Sequence, residues 1–91
     1  MSNKRQKYIN LFVLVGRKED INIVTEMLNS VCKNDECVYS VSSSSVLDNL
    51  FYIRIQCRRE SLDELRNKIA LNLNKFDVKI SWYKIEVIEV K

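Results

Sequence analysis

The stretch that decides the fold is residues 8–16, which read Tyr-Ile-Asn-Leu-Phe-Val-Leu-Val-Gly. Strand-forming Ile, Val, Phe and Tyr dominate it, charged residues flank it, and it ends at the only glycine of the sequence. This composition predicts an inner strand of a sheet. Because side chains alternate along a strand, we expect two mostly apolar faces that both need a cover. One face consists of Ile9, Leu11, Val13 and Val15, and the other of Tyr8, Asn10, Phe12 and Leu14.

Length and composition set bounds on the rest of the chain. The 91 residues are enough for one domain, with 1–7 as a flexible N-terminal arm and 8–91 as the folded part. The net charge of +3 is too small to predict nucleic-acid binding by itself. The sequence contains neither a long apolar run nor a signal-peptide pattern, so we expect a cytoplasmic protein without a membrane span.

The residue types available for chemistry are few. The cysteines are Cys32, Cys37 and Cys57, and there is no histidine. An odd number of cysteines does not predict a disulfide framework, so we expect reduced thiols. The absence of histidine excludes Ser-His-Asp and Cys-His catalysis. The carboxylates fall on predicted loops and helix starts, and no metal ligands have a diagnostic spacing. We therefore predict a protein that is not an enzyme and uses no metal or other cofactor.

Two further segments carry the helical pattern. After a turn at residues 16–20, apolar side chains recur every three or four positions over residues 23–31, which predicts a helix that ends near Lys33. Ser61 and Glu64 form a capping box ahead of a second such pattern. The second helix is therefore expected to begin at Ser61.

The other segments carry strand patterns. Residues 37–46 and 50–58 alternate and are separated by the turn-forming residues Asp48 and Asn49, which predicts a hairpin. Residues 77–91 are also rich in strand formers, and Val78, Ile80 and Trp82 are expected to share one face. In this last segment the alternation slips by one residue near Trp82 and again near Val87, which predicts two bulges.

The resulting order of strand, helix, strand, strand, helix and strand is that of the ferredoxin-like βαββαβ plait. We predict an α+β fold with a four-stranded antiparallel sheet, two helices on one face, the first and third strands in the middle, and an extended C-terminal strand. The other face of the sheet is then open. Its candidate contact residues are Phe12, Leu14, Tyr52, Arg54, Arg58 and Arg59.

Three uses of that face are considered. A protein partner or a second copy would cover the apolar side chains Phe12 and Leu14. Single-stranded RNA could stack on Phe12 and Tyr52 beside Arg54, although the third strand lacks the sequence pattern of RNA-recognition motifs. The face could also be partly solvated. The weak net charge favours the protein partner.

With these segments in place, the chain resembles the ACT-type regulatory domains, in particular the small regulatory subunits of acetohydroxyacid synthase. The resemblance rests on residues 11–15, 23–31, 50–57, 61–65 and 74–80. It implies a small regulatory or assembly protein that acts as a homodimer through protein contacts, with a small-molecule ligand at the dimer seam. The ligand would meet backbone amides at Gly16, Arg17, Asp20 and Ile21. Asp20 stands where the family usually has a glycine.

Overall fold

Strands and helices follow the predicted order in the computed structural model, which describes residues 6–35, 37–57, 62–76 and 79–90. The described residues form β1 (Gln6–Val15), a short 3-10 helix (Lys18–Asp20), α1 (Ile21–Asp35), β2 (Cys37–Ser43), β3 (Leu50–Cys57), α2 (Leu62–Asn74) and β4 (Ile80–Val90). Residues 58–61 and 77–78 lie outside this description, and with them the predicted capping box at Ser61.

The strands form an antiparallel sheet in the order β2-β3-β1-β4. β1 and β3 therefore occupy the centre, as the sequence predicts. The helices pack on one face, where the buried side chains of the two central strands meet those of α1 and α2. The predicted α+β ferredoxin-like plait is confirmed.

The core lies between this face and the helices. In β3 the alternation is regular, because Phe51, Ile53 and Ile55 are buried while the residues between them are exposed. Each fully buried aliphatic side chain stabilises the fold by about 1.5–3 kcal/mol relative to exposure. The other buried residues are Ile9, Leu11, Val13, Val15, Val24, Met27, Leu28, Val31, Cys32, Leu62, Leu65, Ile69, Leu73 and Ile80.

β4 contains one bulge. It pairs with β1 from Gln6 opposite Val90 to Leu14 opposite Trp82, and then Val15 lies opposite Ile80, which leaves Ser81 as an extra residue. The extra residue inverts the alternation, so Ile80 is buried whereas Trp82 is 49% exposed. The predicted slip near Trp82 is confirmed. The second predicted slip, near Val87, is wrong, because the register runs without a break from Trp82 to Val90.

The start of β1 extends further than the sequence predicts. β1 begins at Gln6, and Gln6 and Lys7, which the pattern assigns to an N-terminal arm, pair with Val90 and Glu89. The long C-terminal strand thus pairs within its own chain along its length. Residues 1–5 lie outside the description.

Two of the cysteines form a disulfide, Cys37–Cys57, between opposite positions of β2 and β3. The expectation of three reduced thiols is wrong for this pair. An odd number of cysteines says nothing about hairpin register, and it is the register that brings the two α-carbons to 4.1 Å. Cys32, at the end of α1, lies in the core and outside this disulfide.

Candidate functional site

The first candidate site is the sheet face opposite the helices, which we call the open face. Strand alternation and the observed register assign its side chains. None of them is fully buried. They are Tyr8, Asn10, Phe12 and Leu14 of β1, Leu50, Tyr52, Arg54 and Gln56 of β3, Val38, Ser40 and Ser42 of β2, and Trp82, Lys84, Glu86 and Ile88 of β4.

The register arranges the centre of the open face in three rows across β3, β1 and β4. Each row contains one residue from each strand, so its side chains are direct neighbours. The apolar row is Leu50, Leu14 and Trp82; the mixed row is Tyr52, Phe12 and Lys84; the charged row is Arg54, Asn10 and Glu86. Polarity therefore rises from one end of the open face to the other.

Contacts within the open face fix several of these side chains. The rings of Phe12 and Tyr52 meet edge to face, with centroids 5.4 Å apart. The guanidinium carbon of Arg54 lies 4.4 Å from the centroid of the Tyr8 ring, a cation-π geometry. Lys84 Nζ lies 3.9 Å from a carboxylate oxygen of Glu86. Phe12, Tyr52, Tyr8 and Arg54 thus make their ring contacts within the chain.

A shallow depression of about 320 Å³ lies between β1, β2 and β3 on this face. Its open-face lining is mainly polar, and it takes in the Phe12–Tyr52 pair and Arg54. The lining residues include Asn10, Phe12, Ser40, Ser42, Tyr52 and Arg54.

The structure brings four of the six predicted contact residues together on the open face: Phe12, Leu14, Tyr52 and Arg54. Their role as a contact surface stays a prediction. Arg58 and Arg59 lie outside the described residues. Sequence reasoning missed the contribution of β4, because Trp82 was assigned to the same face as Ile80. The slip in alternation was the available signal, since a bulge at Ser81 moves Trp82 to the open face.

The second candidate site is the loop after β1, where a ligand was predicted. The Gly16 N–H donates to the carbonyl of Lys79 (2.9 Å). The Asp20 carboxylate accepts from the backbone N–H of Arg17 (3.1 Å), and the Asp20 N–H donates to the Arg17 carbonyl (2.9 Å). Asp20 therefore closes its own turn. Ile21, the first residue of α1, is half-buried and packs against the core.

The glycine in this loop is not demanded by sterics. A β-carbon on Gly16 would lie 3.6 Å from the Asp20 carboxylate and 3.7 Å from the Lys79 carbonyl, which are ordinary contact distances. The backbone N–H groups of Gly16, Arg17 and Asp20, which the sequence assigned to a ligand, donate to acceptors within the chain.

An open cleft of about 450 Å³ lies at this loop. Gly16 and Arg17 line it, whereas Asp20 and Ile21 do not. Cationic and anionic side chains are balanced around it, which suits a polar ligand carrying both charges. The lining residues are Gly16, Arg17, Lys18, Glu19, Asp48 and Asn49.

Asn49 joins the cleft to the sheet. The backbone N–H of Val15 donates to the Asn49 carbonyl (3.0 Å), and the Asn49 side-chain amide donates to the Val15 carbonyl (2.8 Å). The sequence identified Asp48 and Asn49 only as turn formers. No local pattern could have placed them in the cleft, because the contact spans 34 positions.

Other kinds of site receive no support from the part of the chain that the structure describes. Within the ranges given above, no group of three or more cysteine or acidic side chains could hold a metal ion. Nor does a helix in those ranges have the length and apolarity needed to cross a membrane. The open face and the cleft are the surfaces on which the predicted residues Phe12, Leu14, Tyr52, Arg54, Gly16 and Arg17 lie.

No protein-family model matches the chain, and no curated protein sequence matches it. Several solved structures match it in fold. A conserved protein of unknown function from Bacteroides thetaiotaomicron, named as a possible oxidoreductase, is 22% identical, with a TM-score of 0.68 over 97% of this chain and 99% of that one. SnoaB, a cofactor-independent oxygenase from Streptomyces nogalater, is 10% identical, with a TM-score of 0.65 over 96% and 93%.

A third structure of this fold is CPII, a nitrogen regulatory PII-like protein from Thiomonas intermedia bound to ADP, AMP and bicarbonate. It is 14% identical, with a TM-score of 0.59 over 97% of this chain and 92% of that one. Identities this low show the fold alone. The resemblance to ACT-type domains is therefore supported at the level of the ferredoxin-like fold.

The prediction that the chain is not an enzyme is contradicted by these neighbours. It was based on the absence of histidine and of a metal-ligand pattern, yet proteins named as an oxygenase and a possible oxidoreductase have this same architecture. The fold thus carries enzymes as well as regulatory proteins. What the comparisons establish for this chain is the ferredoxin-like fold that it shares with both classes.

Proposed function

We propose that the protein is a small regulatory or ligand-binding homodimer, in which the open faces of two chains cover each other. The observation that carries the proposal is the apolar and aromatic surface formed by the apolar row together with Phe12 and Tyr52. Trp82 is 49% and Tyr52 41% exposed, whereas the central strands are buried on the other face of the same sheet. Contiguous apolar surface of this kind marks protein interfaces.

A second copy fits because the rows complement one another. Consider a two-fold axis that runs parallel to β1 and above it. Such an axis keeps each row at its own level and exchanges the β3 side with the β4 side, so each contact occurs twice. Arg54 then faces the partner's Glu86, and Leu50 faces the partner's Trp82. Lys84 comes over the ring of the partner's Tyr52, and Phe12 faces its own copy.

The dimensions permit these contacts. Stacked sheets lie about 10 Å apart, and neighbouring strands about 4.8 Å apart. Arg54 and Glu86 each lie one strand from β1, so they remain close to the proposed axis. The usual angle of about 30° between stacked sheets shifts Arg54 and the partner's Glu86 by about 4 Å relative to each other, which two long side chains can accommodate. Arg54 and Glu86 side chains from opposite sheets can bridge the gap.

The cleft supports the ligand-binding half of the proposal. Gly16 follows the end of β1, and Asn49 immediately precedes Leu50 of the apolar row. The cleft therefore borders the apolar row, where the two chains of the proposed dimer meet. A polar ligand between Arg17, Lys18 and Asp48 would alter the same strand ends that form the seam. The PII-like neighbour, named as bound to adenine nucleotides, adds nucleotides to the compounds worth testing.

Binding of single-stranded RNA is the second candidate, and the Phe12–Tyr52 pair beside Arg54 favours it. Aromatic side chains with nearby cations form platforms on which bases stack. The homodimer is preferred because the apolar row of Leu50, Leu14 and Trp82 offers no cation to a phosphate backbone. The charged row also contains Glu86, which would repel a phosphate backbone.

The experiment is light scattering coupled to size exclusion on the full chain, at several concentrations and two salt levels. We expect a dimer at low micromolar concentration. Phe12→Glu should give a monomer, because it places two carboxylates against each other at the axis. The matched control is Leu71→Glu, since Leu71 is 66% exposed on α2 and away from the open face. It should leave the dimer intact.

A charge exchange tests the proposed axis. Arg54→Glu and Glu86→Arg should each weaken dimerisation about tenfold or more, because each places like charges opposite each other. The double variant should recover most of the loss. A wild-type monomer at every concentration would overturn the dimer, as would a dimer that Phe12→Glu leaves unchanged. In the monomer case, tight binding of single-stranded RNA with steep loss on raising salt would establish the second candidate.

The ligand is tested separately by isothermal titration of the full chain with a panel of amino acids and nucleotides. If one class of compound gives binding heat with the wild type and none with Arg17→Ala, the ligand binds in the cleft. Silence across the panel would remove the ligand half of the proposal and leave the dimer to stand on the light-scattering result.

A further inference from the structure

We propose that Cys37 and Cys57 are a reversible thiol-disulfide site that fastens the edge strand β2 to the sheet. The proposal is independent of the dimer and of the ligand. The two cysteines lie at opposite positions of β2 and β3 and form a disulfide. No change in the backbone is needed to open or close the bond, because the pairing of the strands already brings the two residues together.

Exposure distinguishes this pair from the third cysteine. Cys37 and Cys57 are half-buried at the rim of the core, whereas Cys32 is 5% exposed inside it. Thiol-disulfide exchange needs a thiolate that a small reagent can reach. The pair meets this condition, and Cys32 does not.

The strand that the bond fastens is the one least held by packing. Among the described residues, β2 has β3 as its sheet neighbour and lies at the edge of the sheet. Cys37 and Tyr39 are half-buried, while the other side chains of β2 are exposed, including Val38 at 66%. Segments with few buried apolar contacts open most readily. The disulfide thus acts where the sheet has least other support.

Besides the bond, the Tyr39 side chain ties β2 to the helix layer. The Tyr39 hydroxyl approaches the Thr25 carbonyl (3.3 Å) and donates to the side-chain oxygen of Asn29 in α1. Tyr39 lies two residues from Cys37, so the hydroxyl contacts and the disulfide hold the same half of the strand. On reduction the Tyr39 contacts and the backbone pairing to β3 remain in this half.

The exchange step balances with a low-molecular-weight disulfide of the glutathione type as oxidant. One thiolate of the pair attacks a sulfur of that disulfide, forms a mixed disulfide and releases one small thiolate. The second protein thiolate then attacks the mixed disulfide, forms Cys37–Cys57 and releases the second small thiolate. Two protein thiols are oxidised, one small disulfide is reduced to two thiols, and the reverse steps open the bond. In a cytoplasm, where the sequence predicts this protein, disulfides are commonly of this transient or sensing kind.

In the first test, the full chain is equilibrated in glutathione buffers with an increasing ratio of oxidised to reduced glutathione. The remaining thiols are alkylated, and the mass of the protein is measured by mass spectrometry. As the buffer becomes more oxidising, we expect two alkylatable thiols to be lost together in one transition. Peptide masses should identify them as Cys37 and Cys57. Cys32→Ser is the matched control and should show the same transition. Cys37→Ser and Cys57→Ser should each abolish it. Separate loss of the two thiols, or pairing that includes Cys32, would overturn the proposal.

The second test measures amide hydrogen exchange in β2 of the oxidised and reduced protein. We expect exchange at residues 38–41 to rise at least several-fold on reduction in both the wild type and Cys32→Ser. The Cys37→Ser/Cys57→Ser double variant should exchange at the reduced rate in both buffers. Equal exchange in the oxidised and reduced wild type would show that the bond does not fasten the strand.

Discussion

The two faces of strand β3 differ strongly in how much of their side chains is exposed to solvent. Ile53 is 1% exposed and its neighbour Tyr52 is 41% exposed, although both are large and largely apolar. The difference arises because α1 and α2 cover one face of the sheet and leave the other open. β1, whose two faces are both mostly apolar, therefore needs two covers, and the described part of this chain supplies one. That contrast is the basis for the proposed dimer.

The largest expected effect comes from truncating the covered face. Ile53→Ala should destabilise the protein by about 2–5 kcal/mol, because it leaves a cavity in the core. Tyr52→Ala should cost well under half of that. Both are measured by urea unfolding in the Phe12→Glu background, where dimerisation does not contribute. Equal losses would contradict the contrast between the faces, and Ile53→Val, expected near 1 kcal/mol, serves if the alanine variant fails to fold.

A smaller effect is expected where the sheet ends at the cleft. Asn49→Ala should cost about 1–3 kcal/mol, because it leaves the partly buried Val15 carbonyl without its side-chain donor. The neighbouring Asp48→Ala is the control and should remain within about 0.5 kcal/mol of the parent. Urea unfolding in the same background measures both. Similar values for the two variants would show that Asn49 does not join the hairpin to β1.

Removing a tyrosine hydroxyl from each face compares how much the two faces contribute to stability. Tyr39→Phe on the covered side should cost about 0.5–1.5 kcal/mol, since its hydroxyl bonds to α1. Tyr52→Phe on the open face should cost close to nothing in the monomeric background. Thermal unfolding resolves the difference. A loss for Tyr52→Phe as large as that for Tyr39→Phe would mean that the open face is held from within the chain.

The smallest effect is expected for the ion pair on the open face. Lys84 and Glu86 are 56% and 41% exposed and lie 3.9 Å apart, so Lys84→Ala should change the stability of the monomeric background by less than about 0.5 kcal/mol. Raising the salt concentration should make this change in stability smaller still. Comparison of urea unfolding at two salt levels checks it. A large, salt-sensitive loss would show that the pair stabilises the monomer.

Local patterns were sufficient to predict the central strands. The run at residues 8–16 and the regular alternation in β3 place Phe12, Leu14, Tyr52 and Arg54 on one face, as the structure has them. These patterns succeed because a one-residue shift would put the whole apolar set of a strand in water. The alternation of apolar and polar residues in the sequence therefore already excludes the wrong register.

Contacts between residues far apart in the chain could not be predicted from local patterns. The sequence shows a slip in the alternation of the last strand but not that Ser81 absorbs it, and so Trp82 was placed on the wrong face. Asn49 reads as a turn residue because its contact with Val15 is distant in sequence. The disulfide was missed since two cysteines 20 positions apart become neighbours only through the register of the hairpin.

Sequence patterns alone predict the order of the strands and helices, the side chains that the two central strands bury, and hence the ferredoxin-like plait. These features depend on periodicity, which is local and repeated over several turns or strand positions. Four features are visible only in the folded chain: the exact position of the bulge at Ser81, the cleft that Asn49 joins to β1, the Cys37–Cys57 pair, and the alignment of Arg54 with Glu86 across Asn10. Each depends on the register between segments far apart in the chain, which is set by the packing of the whole sheet.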